Sequence, residues 1–192
     1  TEAIAEMDKQ SIGAIMVSAQ SVTKLSDAAK KLIGSCPVFN ITVSYQKNGK
    51  TETVSNFDRG AVTLGIAYKP ADKEKTGNLF GVYVDQNGKP QLLTNSSYAD
   101  GRIIFERNSL SIYGVGYKAP APAFSDTAKH WAKDSIDFVA SRGLISGTTG
   151  ATFAPNTAIT RADFLMALGR LSGADVSNFK SGSFTDVKND NT

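Results

Sequence analysis

The sequence predicts a multidomain α+β chain: a β-sandwich-like module with one helix over residues 1–118, then a small helix–loop–helix unit over residues 124–173. Three observations predict it. The first part carries short apolar segments of period two, separated by turn residues. Beyond position 123 the apolar spacing changes to the helical 3.6. Between the two runs Lys118-Ala119-Pro120-Ala121-Pro122-Ala123, whose alternating prolines make residues 119–123 a semi-rigid linker. Residues 174–192 read as a further linker with the start of another unit.

In chain order, residues 14–22 are apolar and β-branched, the composition of a strand. Ser26 is placed to cap a helix from Asp27 to Ile33, and Gly34 to end it. Residues 38–45 alternate, and Asn48-Gly49 is the dipeptide of a tight hairpin into residues 51–54. Cys36, beside Pro37 at the head of that strand, reads as a small buried apolar residue. Residues 61–68 make another strand, stopped by Pro70. Residues 78–85 and 90–94 form a second hairpin around Asn87-Gly88, and residues 102–106 and 109–117 complete the set. Strands this short and this evenly punctuated fit a sandwich better than a parallel sheet. Past the linker, Trp131, Ile136, Val139 and Ala140 share one face of a helix that Gly143 stops, and Phe164, Leu168 and Leu171 share a face of the next. Two helices of this length bury little alone, so units of this size stack on neighbours.

Composition removes several functions. The 192 residues are 41% hydrophobic and 20% charged, with a net charge of +3 and scattered lysines. That footprint argues against nucleic acid. No apolar run approaches the ~20 residues that span a bilayer, so membrane insertion is not expected. One Cys and one His leave no internal disulfide, no thiol zinc site and no local nucleophile pair. No metal or cofactor is expected. Thr1-Glu2-Ala3-Ile4 has no signal-peptide character, so the chain reads as a fragment of a longer secreted protein.

The residues with chemistry lie in the second part. Thr160-Arg161-Ala162-Asp163 reads as a capping box, Thr160 capping the second helix and Asp163 reaching back to the cap amide. Arg161 then stands at a helix start, where free N–H groups already attract anions. Phe124-x-Asp126, Trp131-Ala132, Ile136, Gly143-Leu144-Ile145-x-Gly147, Phe153-x-Pro155 and Ile159-Thr160-Arg161-Ala162-Asp163-Phe164 resemble an S-layer homology repeat in order and spacing. Asp163 stands where the family's TRAE signature has Glu, and Phe184-Thr185-Asp186-Val187 resembles the opening of a second repeat. The strand-rich part is similar to a β-rich module that often precedes such repeats in extracellular proteins of Firmicutes. Members of that group often carry His-Phe-Ser before the last strand, a triplet reminiscent of self-cleaving ZU5-type domains. Ser109-Leu110-Ser111 occupies that place here, so without an imidazole no self-cleavage is expected.

The S-layer homology resemblance implies non-covalent anchoring of an extracellular surface protein to a secondary cell-wall polysaccharide, often pyruvylated, in grooves between three repeats. Its partners would be that polymer and other repeats, in the same chain or another copy, and its place the cell wall or S-layer. The ligand-binding set is Arg161, Trp131, Gly147, Thr160 and Asp163. A guanidinium suits a ketal-linked carboxylate because it clamps a small planar anion with two parallel hydrogen bonds. Each residue also has a purely structural use: Thr160 and Asp163 as caps, Trp131 in the core or a repeat interface, Gly143 as helix stop, Gly147 as turn residue, Asp126 as cap of the first helix, and His130 as surface decoration. No catalytic residues are assigned. The alternatives are a C-terminal part of an extracellular glycoside hydrolase, or an adhesion or carbohydrate-binding module. Against the first, Glu52, Asp58, Asp85 and Asp100 fall in turns or polar strand positions and form no evident acid–base pair. For the second, Tyr45, Tyr68 and Tyr98 are the candidate stacking aromatics, with edge-strand packing as their other use.

Overall fold

Strand β1 (Ile12–Ser21) runs antiparallel to β2 (Val38–Lys47), and between them α1 (Asp27–Ile33) turns the chain back. The helix is where its end signals put it. Ser26 Oγ accepts the Ala29 N–H at 3.1 Å, and Gly34 closes it at a φ of 61°. In this computed structural model residues 12–54, 56–57, 60–118 and 124–172 are described. The domain boundary at residue 120, the linker 119–123, the second-repeat signal at Phe184 and Asp58 fall outside them.

Among the described residues nine strands form two sheets. Strands β3 (Lys50–Val54), β4 (Val62–Ala67), β5 (Leu79–Val84), β6 (Pro90–Leu93), β7 (Ser97–Ala99), β8 (Arg102–Arg107) and β9 (Ile112–Tyr117) follow in chain order. One sheet has the order β1-β2-β9-β5-β6 with β3 also on β2, the other β4-β8-β7, and every pairing is antiparallel. Asn48 and Gly49, at φ 51° and 73°, make the predicted β2–β3 hairpin. The sequence reading missed β7, which Asp100-Gly101 (φ 50° and 73°) turns into β8, and it started β9 three residues early. Ser109 and Ser111 precede that strand, their carbonyls accepting from Tyr113 Oη and the Ile41 N–H.

The two sheets share one apolar layer. Leu79, Leu93, Tyr113 and Val115 from the larger sheet bury with Ile66, Ile103 and Phe105 from the smaller. Gly81 on β5 lets them close up, since a Cβ there would stand 2.7 Å from Cδ1 of Phe105. A second cluster, Ala29, Ile33, Val38, Val82 and Val84, seats α1 on the opposite face of the larger sheet. Cys36 is half-buried rather than fully enclosed. Its thiol donates to Tyr68 Oη at 3.4 Å, Tyr68 donates in turn to Glu74 at 2.8 Å, and burial pushes the thiol pKa up.

The chain is thus β-rich with three α-helices among the described residues, a β domain followed by a small helical region. The helical region comprises α2 (Lys133–Ser141) and α3 (Arg161–Ser172). Arg142, just past α2, ties it to the β domain. This residue is 5% exposed, and its guanidinium lies between the rings of Phe80 and Phe138. It donates to the carbonyls of Gly77, Leu79 and Ser96, all from the β domain, with the last two at 2.9 and 3.1 Å. Burial lowers its pKa to about 10, so it stays a cation at neutral pH. Lys118 Nζ adds a bond to the Ser141 carbonyl at 3.1 Å.

Candidate functional site

The loop joining α2 to α3 is built on hydrogen bonds that the sequence did not announce. Gly143 stops α2 at a φ of 65°, as its position required. Asp126 does not cap α2, which begins seven residues later. Its carboxylate instead accepts the N–H groups of Phe153 (3.0 Å) and Ala154 (2.7 Å). These bonds, Phe153 first and Ala154 second, hold the Asp126 pKa below the ordinary carboxylate value, and they pin Ala154 at a φ of 59°. Phe124 packs its ring on Phe153 with centroids 5.4 Å apart, so the start of the unit is folded back onto its own loop.

Gly147 is fixed by crowding. A Cβ there would lie 2.5 Å from the Thr152 carbonyl oxygen and 2.6 Å from Cε1 of Phe124, so the chain's own atoms fill the space beside it. The neighbouring hydroxyls close the turn. Thr149 Oγ1 accepts the Ala151 and Thr152 N–H groups at 3.1 and 3.0 Å.

Trp131 corrects the sequence reading. It precedes α2 instead of lying on its apolar face, and it is 90% exposed, outside any core of the described residues. The local cause is His130. Its Nδ1 accepts the Ala132 N–H at 3.2 Å and its Nε2 meets Asn156 Oδ1 at 3.3 Å, which puts the ring proton on Nε2. His130 thereby ties the segment before α2 to the α2–α3 loop at Asn156, and the exposed indole of Trp131 lies beside its ring, with centroids 5.6 Å apart.

At the mouth of α3, Thr160 Oγ1 accepts the Asp163 N–H at 3.1 Å, the cap predicted from the sequence. The return half of the box differs. Asp163 takes its hydrogen bond from the Thr160 hydroxyl at 2.5 Å rather than from the cap amide. An Asp is one methylene shorter than the Glu of a full box, and its carboxylate ends at the hydroxyl. Arg161, the first residue of α3, is exposed and has no hydrogen bond or ion pair among the described residues.

Beside this helix lies an open cavity of about 610 Å³ between the loop and one side of α3, walled by Leu144, Gly147, Phe153, Ile159, Asp163 and Met166. Arg170, also on the wall, donates to the Leu144 carbonyl at 3.2 Å, and its own carbonyl accepts from Thr94 Oγ1 of the β domain at 2.7 Å. The fold thus brings Gly147 and Asp163 of the predicted set to one cavity, and Arg161, Thr160 and Trp131 are not on its wall. Arg142 and Arg170 were missed. Arg142 stands between Ser141 and Gly143 and Arg170 between Gly169 and Leu171, and nothing in that linear pattern says that carbonyls from distant residues await them. The face of α3 predicted to pack carries Phe164, Leu168 and Leu171, and these are 53%, 45% and 41% exposed.

Among the described residues no cluster of His, Cys, Asp and Glu is arranged to hold a metal ion, and no helix is long and apolar enough to cross a membrane. The family model of the S-layer homology domain matches residues 123–165. Similar curated proteins include an amylopullulanase of Thermoanaerobacterium thermosulfurigenes, 40% identical over 65 residues (34% of this chain, 3% of that protein). Others are the endo-1,4-beta-xylanase A of Thermoanaerobacterium saccharolyticum, 39% identical over 64 residues (33% and 5%), and an S-layer protein of Bacillus licheniformis, 33% identical over 72 residues (37% and 8%). The chain therefore spans less than a tenth of the length of these relatives. No solved structure matches it significantly.

Proposed function

With an S-layer homology domain at residues 123–165 as the premise, we propose that this chain anchors an extracellular protein non-covalently to the cell-wall polysaccharide of a Gram-positive envelope. The observation that carries the reading is the guanidinium of Arg161 at the start of α3, which has no partner among the described residues. The cap is completed by Thr160 and Asp163 without it, so the cation is left for an external anion. A carboxylate on a sugar ring, as in a pyruvate ketal, meets there both a planar donor and the positive end of a helix. The exposed Trp131 indole supports a second contact, stacking on a sugar face.

Further repeats are the partners of this module. The apolar residues of α3 stand open to solvent, which is the surface that a neighbouring repeat would cover. Thr160 and Asp163 then act by shaping the helix mouth, and Gly147 by letting the loop close beside it.

The β domain is a spacer in this reading, and catalysis is assigned to no part of the chain. Glu52 receives the Tyr45 hydroxyl, and Asp85 Oδ1 receives the N–H groups of Asn87 and Lys89 in its own turn. Tyr68 and Tyr98 are also engaged, Tyr98 donating to the Tyr68 carbonyl at 3.2 Å. These contacts favour a structural use of the residues considered for hydrolysis or stacking. The activities in the names of the enzymatic relatives belong to those proteins, of which the shared part is 3–5%.

The test is co-sedimentation of the protein with purified cell-wall sacculi before and after chemical removal of pyruvate. Binding lost on removal is the expected result, and equal binding to both preparations rejects the acidic-sugar grip. In a multi-repeat protein Arg161→Ala should weaken binding by about 1.5–3 kcal/mol, the worth of a charge-assisted hydrogen bond, with the melting temperature unchanged.

A further inference from the structure

We propose that the outer edge of β1 is a self-association surface, on which two copies of this chain join by antiparallel β1–β1 pairing. Strand β1 ends the order of the larger sheet. It is bonded to β2 on one side, and among the described residues nothing pairs with the other. An open strand edge is a template for another strand, and proteins that must stay apart blunt it with charge, proline or short length. Three other strands at sheet margins carry such devices: β3 has Lys50 and Glu52, β6 starts at Pro90, and β7 has three residues, while β4 is uncharged but exposes no large apolar side chain. Strand β1 has ten residues, no charge and no proline; its register against β2 shifts between Ile12 and Ile15, and past that shift it pairs regularly and exposes Ile15 (54%), Met16 (45%) and Val17 (72%).

The occupant follows from charge and symmetry. Strand β1 carries none of the chain's charges, so a contact between two copies through it sets no like charges opposite each other. The partner must also offer an uncharged extended edge of similar length, and the β1 edge of a second copy is one. A two-fold axis through Met16, normal to the sheet, sets Met16 opposite its own copy. Ile15 then faces Val17 of the second copy in both directions, so like faces stay together. Such β-branched cross-strand pairs are favourable in antiparallel sheets. On β2, Tyr45 stands opposite Ile15 and Val43 opposite Val17. An apolar strip would therefore run from β2 of one copy, across the axis, to β2 of the other.

Sedimentation velocity of the intact chain over a range of concentrations tests this. A dimer that grows with concentration is expected, abolished by Val17→Lys and retained by Leu165→Lys, which charges the exposed face of α3 instead. In a Cys36→Ser background, Met16→Cys should give a disulfide-linked dimer on mild oxidation, since opposed Cβ atoms in such a pair stand about 5 Å apart. A chain that remains monomeric, a dimer abolished by Leu165→Lys and kept by Val17→Lys, or a Met16→Cys protein that does not cross-link would overturn the proposal.

Discussion

The guanidinium carbon of Arg142 lies 4.2 Å from the centroid of the Phe80 ring, so a cation from the helical region stands over an aromatic of the β-domain core. Phe138 covers its other face at 3.9 Å, and three β-domain carbonyls take its protons. No carboxylate neutralises this buried charge in the described structure. Its burial is offset by carbonyl oxygens and ring faces instead.

Arg142→Met should therefore uncouple the two regions. The three carbonyls lose their donors while remaining enclosed, and a cost of about 2–4 kcal/mol is expected from that desolvation. Arg142→Lys should recover only part of it, because an ammonium cannot fan out to three oxygens while stacking between two rings. Urea unfolding followed by amide hydrogen exchange, read separately for α2 and α3 and for the core strands β5, β8 and β9, reads the effect. Coincident transitions that separate in Arg142→Met are the expected outcome.

Gly147→Ala should destabilise the loop, because the new methyl meets a carbonyl oxygen and the edge of Phe124 at distances that real Cβ atoms do not occupy. Overpacking of this kind costs about 1–3 kcal/mol. Gly150→Ala is the control, since nothing lies within 4 Å of its virtual Cβ. Thermal denaturation of the two variants should show a drop for the first and little change for the second.

The loop should also weaken in acid. The Phe153 N–H, then the Ala154 N–H, hold the Asp126 pKa below the ordinary carboxylate value. A carboxyl lowered on folding adds stability that is present above the ordinary carboxylate range and lost as pH falls through its folded value. The melting temperature of the wild type should decline in that window, and Asp126→Asn should show a shallower decline. Identical profiles for the two proteins would assign the acid sensitivity elsewhere.

Asp163→Glu restores the longer side chain and lets the carboxylate reach the Thr160 amide, completing the box. A gain of about 0.5 kcal/mol in stability is expected, against a loss of about 1 kcal/mol for Thr160→Ala. Chemical denaturation of both variants checks the pair of signs.

Local signals were legible where the cause is local. The cap at Ser26, the stops at Gly34 and Gly143, and the Asn48-Gly49 hairpin each depend on a few adjacent residues, and each stands where the sequence put it. Strand β7 was overlooked because three residues are too few for an alternation, although Asp100-Gly101 after it is the same kind of turn signal as Asn48-Gly49. Trp131 was misplaced for a related reason. Helical spacing alone cannot tell a residue inside the first turn from one just before it, and the hydrogen bonds of His130 decide that.

By itself the sequence determined most of the strands and helices in order, the change of period, and a cation one residue past a helix cap, since all of these arise from neighbours along the chain. Only the tertiary structure decided that Arg142 is a buried fastener, that Asp126 serves a loop 27 residues away, and that β1 has a single partner strand among the described residues. Those outcomes rest on which groups from distant segments exclude water from one another. A linear pattern carries apolar spacing and cap chemistry, and the partners of a buried polar group appear only once the sheets and helices have packed.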